Sequence, residues 1–82
     1  MLALIEGFHE TTSERNTLHG TVQCGWRVFA VDGRQVLQLD TYGSSNRKPP
    51  GKQSQSVQLD LETAQALAEI MARAFPTLTW PR

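Results

Sequence analysis

Eighty-two residues carrying eight basic and eight acidic side chains, one cysteine and two histidines make one small domain with no net field. That balance argues against polyelectrolyte binding of the histone-tail kind, and a single cysteine excludes a disulfide framework and fits a reducing compartment. A chain this short buries only roughly 60% of the surface its unfolded form exposes, so a homodimer is an expected source of added core. The opening MLALIEGFHE has no positive n-region, and no apolar run approaches the ~18 residues of a membrane span, so a soluble, cytoplasmic protein with no membrane partner is expected.

Residues 1–8 suit a first strand, with Leu2, Leu4 and Phe8 on one face and Ala3 and Ile5 on the other; a helical turn suits them equally. Glu10 to Asn16 is polar and reads as a surface loop, with Ser13 and Asn16 as turn formers. Residues 17–31 contain the second strand, in which Val22, Cys24, Trp26, Val28 and Ala30 alternate with Thr21, Gln23, Arg27 and Phe29. Gly25 interrupts that alternation and is expected to be a bulge. Asp32-Gly33 between two β-forming runs predicts a two-residue type I′ hairpin.

Arg34 to Tyr42 is the third strand. Leu37, Leu39 and Thr41 share one face, and Val36, Gln38, Asp40 and Tyr42 the other, which is polar enough to be expected in solvent. Gly43 to Gln53 holds Pro49-Pro50-Gly51 and is a loop, since the prolines remove two amide donors. Residues 54–59 form the fourth strand. Asp60 then caps a helix over about 61–75, with Glu62 at the positive end of its dipole. Leu61, Ala64, Leu67, Ala68, Met71, Ala74 and Phe75 recur at spacings of three and four as an apolar stripe widened by Ile70, and Pro76 ends the helix. The tail, 76–82, carries Trp80, expected to dock on the sheet or on a partner. The order predicts an α+β domain spanning 1–82, an antiparallel four-stranded sheet over about 2–59 followed by one amphipathic helix.

Enzyme chemistry finds little purchase. His9-Glu10 opens like a zinc-protease motif, but the position four after His9 is Ser13, so no metal site, cofactor or catalytic residue is expected. Cys24 among β-formers reads as a buried thiol. Asp32 belongs to a turn and Asp60 to a cap, which accounts for both without catalysis. The concentrated charge lies in the loop: Arg47, Lys48 and Lys52, with no acidic residue between Asp40 and Asp60. Cations follow phosphates, and an aromatic such as Tyr42 or Trp26 offers a stacking platform worth about 1–3 kcal/mol per base. The amides and hydroxyls of Asn46, Ser54, Gln55 and Ser56 border the loop, and Trp26, Arg27 and Arg34 on neighbouring strands could extend the surface. Three charges are also what any solvated loop carries.

Gly25-Trp26-Arg27, Leu39-Asp40-Thr41-Tyr42, the basic Arg47-Lys48-Pro49-Pro50-Gly51-Lys52 and Val57-Gln58-Leu59-Asp60-Leu61-Glu62 occur in an order similar to that of the single-stranded-DNA-binding domain of positive cofactor 4-type transcriptional coactivators and their small bacterial relatives. The match covers residues 25 to 75. The resemblance implies a curved sheet and a homodimer assembled through the helix, at Leu67, Ile70, Met71 and Phe75. It also implies phosphate contacts from Arg27, Arg47, Lys48 and Lys52, base stacking on Trp26 or Tyr42, and a role in transcription. The rival expectation is a protein-interaction module, an adaptor or inhibitor docking through the helix, a strand edge or Trp80.

Overall fold

A computed structural model describes residues 2–43 and 53–80. Strands β1 (Leu2–Leu4), β2 (Cys24–Val31), β3 (Arg34–Tyr42) and β4 (Gln53–Leu59) are followed by helix α1 (Leu61–Ala74). They form one four-stranded sheet in the order β1-β4-β3-β2, so the domain is α+β with a C-terminal helix.

The best-defined joints are those with local chemistry. Asp32 and Gly33 both take positive φ, 52° and 76°, as a type I′ hairpin requires, and β2 and β3 zip antiparallel from Val31↔Arg34 to Cys24↔Thr41. At the other joint Asp60 is the N-cap: its carboxylate accepts from the Thr63 amide at 3.1 Å while the Thr63 hydroxyl accepts from the Asp60 amide at 3.0 Å. This reciprocal pair satisfies two backbone donors that a helix start leaves open, and Thr63 is buried by it. Glu62 in the first turn and Arg73 in the last complement the dipole. The helix stops at Phe75, the residue before Pro76.

The sheet is mixed, not antiparallel as expected: β1 pairs with β4 in parallel, Leu2↔Ser56 to Leu4↔Gln58. β1 and β2 therefore run in the same direction at opposite edges. Such a pair needs a crossover of at least a dozen residues, and the nineteen residues from Ile5 to Gln23 supply it. They do so without regular structure, so β1 is shorter than the expected 1–8 and β2 occupies only Cys24–Val31 of the 17–31 stretch. Ser13 closes a local turn there, its hydroxyl and carbonyl engaging Arg15 and Asn16.

Three further expectations are corrected. Gly25 pairs regularly with Asp40, and the bulge lies where Gln53 to Gln55 oppose Tyr42 and Thr41. Gly25 is small for another reason: a Cβ there would sit 3.1 Å from the Tyr42 hydroxyl and 3.3 Å from its ring, so its absence makes room for that ring. Cys24 is exposed, being the first residue of an edge strand. The polar face of β3 is the buried one, with Val36, Gln38 and Asp40 enclosed, and its polar groups are satisfied by one another within β3 and across to β2 and β4.

On the other face, the cross-strand rows Val28–Leu37–Leu59 and Trp26–Leu39–Val57 are apolar. Only Leu59 of these is fully enclosed; its partner in burial among the described apolar residues is Val36. Leu59→Ala should therefore cost about 2–5 kcal/mol, at the level of a core leucine. Urea unfolding followed by far-ultraviolet circular dichroism measures it, and a loss below that range would mean that Leu59 is not the anchor of the helix–sheet joint.

Candidate nucleic-acid interface

The polar face is built by strand register. Arg27 lies opposite Gln38, Gly25 opposite Asp40, Gln58 opposite Gln38 and Ser56 opposite Asp40, so side chains from β2, β3 and β4 converge on one surface. Asp40, only 2% exposed, is its centre. The Arg27 guanidinium donates Nη1 to Asp40 Oδ2 at 2.8 Å, Gln38 donates Nε2 to Asp40 Oδ1 at 2.9 Å, and Gln58 donates Nε2 to Gln38 Oε1 at 2.8 Å. Ser56 adds a further hydrogen bond to the carboxylate. No buried side-chain nitrogen or oxygen among the described residues is left without a partner. Hydrogen bonds from Gln38 and Ser56 first, then the Arg27 charge, hold the Asp40 carboxyl below its ordinary 3.8 against the opposing effect of burial.

Arg27 spends one donor on Asp40 and keeps most of its side chain, 59%, exposed. A guanidinium has five N–H groups in a rigid fork, so a carboxylate can fix its position while other donors face solvent. Tyr42 shares this face, packed against Gly25 two positions before Arg27. Tyr42 pairs with Gln53, and this pair forms the two roots of the basic loop. Arg27, Tyr42 and the loop roots thus form one continuous stretch of surface. Arg47, Lys48 and Lys52 lie outside the described residues.

The remaining expected residues fall elsewhere. Trp26, next to Arg27 in sequence, projects from the opposite face and is 70% exposed, on the side that Gln55 shares. Arg34 lies at the hairpin end of β3, about 27 Å along the strand from Tyr42. There its Nη2 donates to Asp60 Oδ2 at 2.7 Å, joining the hairpin to the helix cap. Hydrogen bonds from the Thr63 backbone and side chain, with Arg34 behind them, lower the Asp60 carboxyl. On the helix, Leu67 and Met71 are half-buried, whereas Ile70 and Phe75 are exposed. Trp80 remains 45% exposed.

Ser56 is one of the residues expected to border the loop, whereas Gln38, Asp40 and Gln58 are not among the expected site residues. Their signal is nonetheless visible in the sequence. Polar residues alternate along both strands flanking the loop, Gln38-x-Asp40 and Ser56-x-Gln58, and the pairing places Gln38 opposite Gln58 and Asp40 opposite Ser56.

Among the described residues no three His, Cys, Asp or Glu side chains cluster closely enough to hold a metal ion, and no helix is long and apolar enough to cross a membrane. Comparison with protein-family models, curated proteins and solved structures finds no match to this chain.

Asp40 and Asp60 both have lowered folded-state values, so their stabilisation is present above the ordinary carboxylate value of 3.8 and is lost as pH falls through the folded-state values. Asp40→Asn should lower the urea midpoint at pH 7 and flatten the loss of stability below pH 4. An acid limb identical in the variant and the parent would show that Asp40 has no shifted titration to lose.

Proposed function

We propose that this chain is a small, non-catalytic nucleic-acid-binding module that prefers single strands. The observation that carries the reading is the Asp40-oriented Arg27, on the same face as Tyr42 and continuous with the roots of the acid-free basic loop. A fixed guanidinium engages a phosphate with little ordering cost, and Lys48, Lys52 and Arg47 extend the track along a backbone. A sheet face with Tyr42 beside Arg27, and with Phe29 on the same side, suits splayed, unpaired bases better than a duplex groove, which is read by an inserted helix or ribbon. A role without catalysis accords with the described aspartates, each of which already has structural work: Asp32 in the turn, Asp40 in the network and Asp60 at the cap. The order of motifs from Gly25 to Phe75 supports the same reading through its resemblance to positive cofactor 4-type domains, and a role in transcription is part of the proposal.

A second reading, an adaptor or inhibitor that docks on another protein, draws on the exposure of Leu61, Phe75 and Trp80 around the helix and tail.

Fluorescence-anisotropy titration with single- and double-stranded oligonucleotides at two salt concentrations separates the two. Tighter binding to single strands, falling steeply with salt and abolished by changing Arg47, Lys48 and Lys52 together to alanine, is the expected result. Arg27→Ala should reduce the salt slope by about 0.7, one phosphate contact on a single strand. Binding that ignores salt and both sets of changes would overturn the reading, as would no binding alongside recovery of a stoichiometric protein partner.

A further inference from the structure

The described residues leave the core unfinished. The accessible surface of the whole 82-residue chain is 7584 Å², against about 4,900 Å² for a compact monomer of this mass, an excess of roughly 2,600 Å². Its radius of gyration is 15.0 Å, against about 12 Å for a compact domain of this length. Two features of the described residues contribute. Residues 6–23 run as an arm in which every residue is exposed, with Leu18 fully so and Phe8 and Val22 in part. Beside the start of that arm's exit into β2, Trp26 and Val28 are 70% and 48% exposed on an apolar face. Their cross-strand neighbours Leu39 and Leu37 continue the band, and Val28 and Leu37 also line an open groove of about 650 Å³ with Leu59, Leu61 and Ala64.

We infer that a second copy of this chain covers that face, the Trp26–Val28 band forming the centre of a two-fold interface and the 6–23 arms strapping across it. The area selects the kind of partner. Obligate homodimers bury about 2,000–5,000 Å² in total, or about 1,000–2,500 Å² per protomer, so a whole-chain excess of roughly 2,600 Å² is enough to supply one protomer's share of such an interface. A transient partner would leave a fold with two enclosed apolar side chains among its described residues unsupported between encounters, whereas a second copy is present wherever the chain is made. The chemistry also suits self-association. The rows Trp26–Leu39 and Val28–Leu37 contain no charge, so a two-fold axis through them brings no like charges together. β2 is an edge strand with its outer backbone groups unpaired in the sheet, and a covering arm would protect it from open-ended pairing. This surface differs from the helix surface of Leu67, Ile70, Met71 and Phe75, and the inference does not depend on nucleic-acid binding.

Sedimentation equilibrium and static light scattering from about 1 to 100 μM test it, together with the thermal midpoint over the same range. The expected mass is twice 9.2 kDa, with a midpoint that rises with concentration. Val28→Glu and Trp26→Glu should each shift the protein to monomer or, where the fold needs its partner, to an unfolded chain by circular dichroism. Ile70→Glu should leave the dimer intact. In a Trp80→Phe background, Trp26 emission should move to longer wavelength on dilution. A folded 9.2 kDa species with a concentration-independent midpoint would overturn the inference. So would a dimer that survives Val28→Glu and Trp26→Glu but dissociates with Ile70→Glu.

Discussion

A carboxylate enclosed in the middle of a small sheet has to be matched, and Asp40 is matched from three strands at once. Arg27 reaches it from β2, Gln38 from its own strand and Ser56 from β4, while Gln58 completes the chain of bonds through Gln38. Burying a charge without such partners costs far more than a small domain can spare. Because side chains alternate with period two, a slip of one residue in either ladder would turn Asp40 to the apolar face and Leu39 to the polar one. The network thus reinforces the registers of β2–β3 and β3–β4, and through them the position of the hairpin, the loop roots and the helix cap.

The same network explains how the two faces divide their work. One face is polar and internally satisfied, holding Arg27 in place with most of its side chain in solvent. The other is apolar, with Leu59 secured beneath the chain and Trp26 and Val28 left open. In a chain of this length the apolar face alone does not close a core, and the polar face uses buried area for hydrogen bonds instead of hydrophobic contact. The proposed division follows: recognition of a charged polymer on the polar side, association between copies on the apolar side. The two adjacent residues Trp26 and Arg27 then belong to different surfaces.

What could be read before any coordinates were local. Asp32-Gly33 names its own turn, because few residue pairs tolerate two positive φ angles in succession. Asp60 names the helix start, because a short acceptor side chain there meets amides three residues on. Pro76 names the helix end. The candidate site is legible in part: charge and aromaticity mark Arg27 and Tyr42, whereas the alternating polar residues behind Arg27 read as solvent-facing positions until their partners are known. The basic loop, the strongest signal in the composition, lies outside the described residues.

The amino-acid sequence by itself determined the hairpin, the capped helix, the order of elements and the α+β class, since each rests on backbone preferences and hydrogen bonds spanning a few residues. Only the tertiary structure decided that β1 joins β4 in parallel, that Gln38 and Asp40 face inward, and that Arg27 is held by a carboxylate thirteen positions away. The physical reason is common to all three. A polar side chain is inside or outside according to whether partners reach it, and those partners come from strands whose pairing no local preference specifies. The nineteen-residue crossover from Ile5 to Gln23 carries no turn chemistry that would choose an edge for β1, so that choice falls to the assembled sheet.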